Sequence, residues 1–384
     1  MRILHVYRTY FPDTQGGLEE TIRQICTNTQ SLGVEARVLS LSRHPLPQKV
    51  SRPEAEVIRA NLTIEIASCG MSVESIGMFR EQATWADVIH YHFPWPFGDL
   101  LHFCTPGHKP SLVTYHSDIL RQRVLRALYR PLMKRFLASV DAIACTSPNY
   151  FATSDVLLDY EKKTEIIPIG LDEQTYPQPS PELKQAVRDK YGDSYFLFVG
   201  VLRYYKGLHI LLDALVDAPY RVIIVGSGPT EAELKQQAKQ LNLTNVVFAG
   251  HVTDAEKVAL FEQCRAVVFP SYLRTEAFGV TLLEGAMFGR PLISTEVGSG
   301  TSHVNSHETT GLVVTPGSSQ ELRSALDKLY FDRDLAESMG KAARNRFQKH
   351  FTGQLMGERY VKVYKRLTHR KKVGIGSDTV SVGE

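Results

Sequence analysis

The sequence predicts an α/β protein built from two doubly wound parallel sheets. Short apolar runs alternate with amphipathic helical patterns almost end to end, the form that β-α-β units take in sequence. At 384 residues the chain is longer than one typical core organises and suits two domains. A proline-containing stretch at 175–183, TYPQPSPEL, divides two alternating series and reads as a stiff, extended linker.

In the first series, strands are expected at Ile3–Tyr7, Ala36–Leu41, Thr63–Ala67, Val88–Tyr91, Leu112–Tyr115, Ala142–Cys145 and Glu165–Ile169, with helices between most of them. Ser42–Glu56 is polar, basic and proline-containing, and reads as a surface loop. The second series opens with a strand at Tyr195–Val199. It continues through a helix at Leu208–Leu215, a strand at Val222–Val225, a helix at Glu231–Leu241, a strand at Val246–Ala249 and a helix at Asp254–Cys264. A buried strand at Ala266–Phe269 follows. Thr253 with Glu256, and Ser318 with Glu321, have capping-box spacing. The domains expected are 1–175 and 184–352, with a tail from 370 to 384 read as disordered.

The net charge of +3 gives no sign of a nucleic-acid partner. Five scattered cysteines without CxxC spacing read as reduced, buried thiols of a cytosolic protein. The chain opens on a strand with no signal peptide, and no apolar run reaches bilayer length, so a cytoplasmic protein is expected.

The stretch that carries chemistry is Pro270–Glu284, PSYLRTEAFGVTLLE. A strand leads in, a loop carries Glu276, and a helix begins near Phe278. The N-terminus of a helix presents free amides and a dipole that favours negative charge. Yet Glu276 and Glu284 flank those amides. Carboxylates repel a bare phosphate but accept hydrogen bonds from hydroxyls. A nucleotide sugar, with both a phosphate and hydroxyls, meets both demands. The stretch PSYLRTEAFGVTLLEGAMFGRPLIST, with its E-x7-E spacing, resembles the signature of the retaining GT-B glycosyltransferases of family 4. The resemblance implies two Rossmann-like domains facing each other across a cleft, with a last helix, 353–369, crossing back to the first domain. It also implies that Glu276 contacts the donor-sugar hydroxyls, that Glu284 holds the ribose, and that the Ala277-Phe278-Gly279-Val280 amides meet the phosphates.

Other motifs extend this reading. Phe198–Gly207, FVGVLRYYKG, places Arg203 and Lys206 after a strand and before a helix, where two cations neutralise a diphosphate. It resembles the family's pyrophosphate motif, although Val201 stands where glycine is common. Gly226 and Gly228 in IIVGSGPTEAEL fail the dinucleotide fingerprint, because Glu231 holds the third glycine position. The resemblance makes Gly226 a turn near the nucleotide and sets Gly250, His251 and Val252 against the base. Gly16 and Gly17, in RTYFPDTQGG, lie where the first strand hands over to a helix; the family uses this loop opposite the donor phosphates. His116 ends the strand LVTYH, and the resemblance puts it near the reacting centre. His90 and His92 read as structural or cleft-lining, without metal-ligand spacing. Asp332-Arg333-Asp334 reads as solvated surface.

Ser117–Val140 is a basic amphipathic helix, with Arg121, Arg123, Arg126, Arg130, Lys134 and Arg135 among leucines. A core helix with a solvated face and a helix that meets an anionic membrane both fit it.

YHSDILRQ followed by YRPL, and GSGTSHVN at 298–305, resemble a family 4 subgroup that builds bacterial surface polysaccharides, and that resemblance implies a retaining hexosyltransferase of surface-polysaccharide synthesis at the cytoplasmic face of the inner membrane. Its expected donor is GDP-mannose or a related GDP-deoxyhexose, and its acceptor a polyprenyl-diphosphate-linked saccharide. No essential metal or further cofactor is expected. A UDP-hexose donor, or a nucleotide-sugar 2-epimerase on the same fold, are the alternatives. A periplasmic sugar-binding protein fits poorly with the absent signal peptide and the Arg203–Lys206 turn.

Overall fold

A computed structural model describes residues 1–67, 69–105, 107, 109–119 and 123–376. The chain divides into two compact units. The first comprises Met1–Thr146, Ser154–Pro168 and the chain from Gly353 onward; the second comprises Ser147–Thr153 and Ile169–Thr352.

The strands of the first unit are β1 (Arg2–Val6), β2 (Glu35–Ser42), β3 (Lys49–Ser51), β4 (Glu56–Asn61), β5 (Ile64–Ile66), β6 (Cys69–Met71), β7 (Val88–Phe93), β8 (Ser111–Tyr115), β9 (Ala142–Cys145) and β10 (Thr164–Ile166). Eight of them form one sheet in the order β10-β9-β8-β7-β1-β2-β4-β3. All neighbours are parallel except β3, which runs antiparallel to β4 at the edge. Every residue of β7, VIHYHF, is buried, as a sheet covered on both faces requires. One face packs on the helix Gly17–Gln30 and the helix Gly353–Gly376, where Met356, Tyr360, Tyr364 and Leu367 join Ile3, Ile25, Val88 and Leu112 in one apolar cluster. That last helix runs to Gly376, through part of the segment expected as a disordered tail. Residues 377–384 lie outside the described residues.

Two expectations are corrected here. The segment expected as a loop, Ser42–Glu56, contains edge strand β3, and β4 follows it into the main sheet beside β2. The expected strand Thr63–Ala67 instead supplies β5 of a separate two-stranded hairpin with β6. The signal missed was β4 itself, EVIRAN, because Arg59 interrupts its apolar run. Arg59 is buried, and its charge is met by Asp13 through two hydrogen bonds of 2.8 and 2.6 Å. The Pro47 and His44 carbonyls, at 3.0 and 2.5 Å, and the Ser42 hydroxyl, at 3.0 Å, also accept from the guanidinium. A buried charge stands only when paired and hydrogen-bonded in this way. The same contact ties the loop after β1, which holds Asp13, to β4.

The second unit has β11 (Tyr195–Val199), β12 (Arg221–Val225), β13 (Val246–Gly250), β14 (Ala266–Phe269), β15 (Leu292–Thr295) and β16 (Gly311–Val314). They form a parallel sheet in the order β13-β12-β11-β14-β15-β16. The proline segment read as a linker belongs to this unit. Tyr176 lies in its core, and Ser180 caps the helix Pro181–Tyr191, accepting from the Leu183 amide with proline at the first helical position. Ser-Pro at a helix start is a strong local signal, and it outweighs the extended preference of alternate prolines. Thr253 and Ser318 cap their helices by accepting from the amides of Glu256 and Glu321.

Replacing Asp13 with alanine leaves the Arg59 guanidinium buried without its carboxylate. We expect a loss of about 3 kcal/mol in urea denaturation. A loss well under 1 kcal/mol would show that this ion pair does not hold the loop.

Candidate active site

In the second sheet the chain leaves β11 toward β12 on one side, while β14 and β15 lie on the other. The carboxyl ends of β11 and β14 therefore flank a topological switch point, where ligands of open α/β sheets bind. From β11 the chain passes through Arg203 and a short 3-10 turn, Tyr204–Lys206, into the helix Leu208–Ala214. From β14 it passes through Ser271 and Glu276 into the helix Val280–Met287. That helix begins two residues later than expected, because Gly279 sits at its N-cap in the left-handed region, φ +87°. No side chain caps its first amides.

The two loops meet. The Lys206 ammonium donates to Glu276 Oε2 at 2.5 Å, and each side chain is only about one-tenth exposed, 12% and 11%. The Ser271 hydroxyl donates to the same oxygen at 3.3 Å. Lys206 also stands 4.5 Å above the Phe269 ring. The Tyr272 amide donates to the Tyr205 carbonyl at 3.1 Å, lacing the loops through their backbones. Gly207 makes this approach possible. Its φ is +69°, and a Cβ there would stand 2.0 Å from the Pro270 carbonyl oxygen. Burial and the nearby Glu276 carboxylate push the Tyr205 phenol up to about 12, so it stays protonated. Arg203 is exposed beside this pair.

Glu284 lies in the same helix as Val280. Its Oε1 accepts from the Lys257 ammonium at 3.0 Å and from the Tyr176 hydroxyl at 3.2 Å. Sequence reasoning found both glutamates but missed Lys257, Tyr176 and Ser271, which carry no motif and come from other elements. The other predicted nucleotide residues gather at the neighbouring strand ends. The Gly226 amide donates to the Gly250 carbonyl at 2.8 Å, and the Ser227 hydroxyl pairs with His251 Nε2 at 2.7 Å. Val252 follows directly. Ala277 and Phe278 are braced from behind: the Gly300 amide donates to the Ala277 carbonyl at 2.9 Å, and Phe278 is buried. Asp332 of the Asp-Arg-Asp segment is a helix cap, accepting from the Leu335 amide at 2.9 Å.

In the first unit, Gly16 is the N-cap of the helix that starts at Gly17, with an extended backbone that any residue adopts. A Cβ there would stand 2.8 Å from Glu19 Oε2, the far end of a side chain that can move aside. His116, just past β8, is buried and belongs to a cluster that the sequence did not reveal. His5 of β1, His90 and His92 of β7 and His116 share one face of the sheet, with rings stacked or tilted 4.4–5.3 Å apart. The signal was present as histidines at sheet-facing positions of three adjacent strands. Burial drives the imidazoles of His5 and His116 down to about 3, and those of His90 and His92 well below their usual range. All four are neutral at physiological pH. His5, His90 and His92 bring nitrogens within 4.8 Å of one another. His5 and His92 aim nitrogens at each other at 3.0 Å, while both His90 nitrogens bond hydroxyls, so the three rings do not converge on one centre.

Of the five cysteines, Cys26, Cys145 and Cys264 are buried as expected, whereas Cys69 and Cys104 are partly exposed; all are free thiols.

The profile described as "Glycosyl transferases group 1" matches residues 180–346, and that described as "Glycosyltransferase Family 4" matches residues 15–175. The chain is 54% identical to D-rhamnosyltransferase WbpZ of Pseudomonas aeruginosa, over 92% of each chain. It is 45% identical to the O-antigen chain mannosyltransferase C of Escherichia coli, over 97% of this chain and all of that one. Among solved structures it resembles sucrose-phosphate synthase from Thermosynechococcus elongatus, with a TM-score of 0.79 and 20% identity over 96% of this chain and 99% of that one. HepE of Anabaena, solved with UDP and glucose, gives a TM-score of 0.75 and 20% identity over 94% and 99%.

The neutral histidines have a consequence for stability. A histidine held near 3 when folded and near 6.5 when unfolded takes up its proton only on unfolding between those values. Its contribution is complete above pH 6.5 and falls as pH drops. For His5 and His116 we expect a loss of about 1.4 kcal/mol per pH unit each below 6.5. Denaturation midpoints at pH 7.5, 6.5 and 5.5 measure this, and a flat profile would contradict buried neutral imidazoles.

Proposed function

The chain belongs to the GT-B glycosyltransferases of family 4, and on that premise we propose that it transfers a hexose, with retention, from a GDP-sugar to a lipid-linked saccharide in bacterial O-antigen synthesis. The donor proposed is GDP-mannose or a related GDP-deoxyhexose. The names of the two curated relatives support this sugar class. Rhamnose is 6-deoxymannose, so D-rhamnose and D-mannose share their hydroxyl stereochemistry from C2 to C4. A site that serves such donors reads those hydroxyls and leaves C6 as the variable position.

The observation that carries the assignment is the contact of Lys206 with Glu276 at the switch point. A cation and an acceptor side by side match a ligand with a diphosphate on one side and hydroxyls on the other. Glu276 then orients the sugar, and Glu284, steered by Lys257 and Tyr176, holds the ribose. Arg203, Lys206 and the uncapped amides at the start of the helix Val280–Met287 stabilise the departing diphosphate. The sugar develops oxocarbenium character and is attacked from the face the diphosphate leaves. No metal is assigned a step.

The acceptor proposed is a polyprenyl-diphosphate-linked saccharide, which brings the enzyme to the cytoplasmic face of the inner membrane. No helix among the described residues is long and apolar enough to cross a bilayer. A peripheral attachment is supported by the helix Arg123–Ser139, where Leu125 and Leu128 are exposed, Leu128 by 74%, beside exposed Arg130 and Arg135. Leu100 and Phe103, also exposed, extend the apolar patch, and Arg135 lies over the Phe103 ring. Exposed leucines among arginines are the chemistry of an interfacial helix on anionic lipid.

Three experiments test these proposals. Glu276→Ala is expected to lower transfer at least ~100-fold, as losing one charge-orienting contact of a transition state does, while the protein still folds and unfolds in a cooperative transition. Wild-type turnover would remove Glu276 from the site. In the same assay, GDP and GDP-mannose are expected to raise the melting temperature while UDP does not; stabilisation by UDP alone would replace the donor. Separately, the chain is expected to sediment with vesicles containing anionic phosphatidylglycerol, and Leu128→Glu to weaken this severalfold. Equal partitioning to neutral and anionic vesicles would contradict the attachment.

A further inference from the structure

Three imidazoles form one hydrogen-bonded chain across the first sheet. His5 Nδ1 lies 3.0 Å from His92 Nε2, and His92 Nδ1 lies 3.0 Å from His116 Nε2. The path is diagonal. His5 is in register with His90, so His92 lies two residues further along; His92 is in register with Thr114, so His116 lies two further again. Each step to the next strand advances two residues toward the carboxyl edge, where ligands bind. His5 Nε2, at the inner end, is buried and has no hydrogen-bond partner among the described residues. His90 stands outside the chain, both its nitrogens being taken by Tyr364 and Thr114 at 2.7 Å.

A neutral imidazole has one N–H and one lone pair. The chain therefore has two arrangements. In one, His116 donates from Nε2 to His92 and His92 donates from Nε2 to His5. His5 then carries its proton on Nε2, as a buried N–H with no acceptor. In the other, His5 donates from Nδ1 to His92 and His92 donates from Nδ1 to His116. The inner end is then only a bare lone pair. An orphaned buried N–H is rarer than an under-used acceptor, so the second arrangement wins.

We infer that His92 is a positioning residue that holds His116 as the neutral tautomer protonated on Nδ1, with His5 ending the hydrogen-bonded chain inside the core. This rests on the reading that His116 belongs to the sugar site. In this form His116 has no lone pair to offer: Nε2 is occupied by His92, and Nδ1 carries the proton. It meets an oxygen-rich ligand as a hydrogen-bond donor and not as a base, and burial keeps it uncharged while doing so. The tautomer of a histidine is set by what its other nitrogen bonds, and here that partner is a second buried histidine on the neighbouring strand.

The test is the nitrogen spectrum of the full-length protein labelled with 15N-histidine at pH 7.5, with His116 assigned by the loss of its signals in His116→Asn. Long-range proton–nitrogen correlations are expected to show a protonated Nδ1 and a bare Nε2 for His116. The reverse pattern overturns the inference. His5→Phe moves the bare lone pair to His92 and is expected to preserve the His116 pattern. His92→Phe removes the control and is expected to mix the two His116 tautomers. It is also expected to lower turnover roughly tenfold, the smaller end of what losing an orienting partner costs, with GDP affinity unchanged. A single unchanged His116 tautomer in His92→Phe overturns the inference as well. If His92→Phe does not fold, the wild-type spectrum decides. The nitrogen shifts are independent of the reaction catalysed, so a failed glycosyltransferase assignment leaves them as expected, whereas a failed relay changes them directly.

Discussion

The second unit depends on one constraint: a parallel sheet whose central neighbours turn away from each other leaves a crevice at their carboxyl ends. That crevice lies between β11 and β14, and the loops from those two strands carry Lys206 and Glu276. Gly207 lets the first loop touch the Pro270 carbonyl, and the Tyr205–Tyr272 backbone contact fixes the second against it. Together they hold an ammonium and a carboxylate in contact, largely out of solvent. On the function proposed for the site, neither charge has to move far to meet a phosphate and a hydroxyl, and this is the preorganisation a transferase needs. Glu284 repeats the device nearby, held between Lys257 and Tyr176.

The first unit uses polar groups differently. Its sheet is buried on both faces, yet one face carries four histidines, with Thr114, Tyr360 and Tyr364 bonded among them. Apolar residues would fill that space at lower desolvation cost. What the polar residues add is direction: both ring nitrogens of His90 and of His92 are committed to named partners, and the series ends at His116. Arg59 and Asp13 do similar work for the loop after β1, where a buried charge fixes a backbone that has no sheet partner.

Much of this was legible in the residues. Strands β11 to β14 and the paired glutamates follow from apolar runs, glycines and spacing that are local in sequence. The errors have physical causes. Arg59 hides β4 because its partner, Asp13, is forty-six residues away, and a lone arginine in a short apolar run reads as a break. Ser180-Pro181 reads as extended chain beside the prolines before it, although serine followed by proline starts a helix. Lys257, Tyr176 and the histidine chain were not read because their roles exist only between elements. His5, His92 and His116 become one feature only once the strand order places β1, β7 and β8 side by side.

The most direct measurement is a crystal structure of this chain grown with GDP. The account predicts diphosphate oxygens within hydrogen-bonding distance of Lys206 Nζ and of the amides at the start of the helix Val280–Met287, with the ribose hydroxyls on Glu284. A nucleotide bound away from the ends of β11 and β14, with the Lys206–Glu276 contact undisturbed and solvent in the crevice, would contradict it.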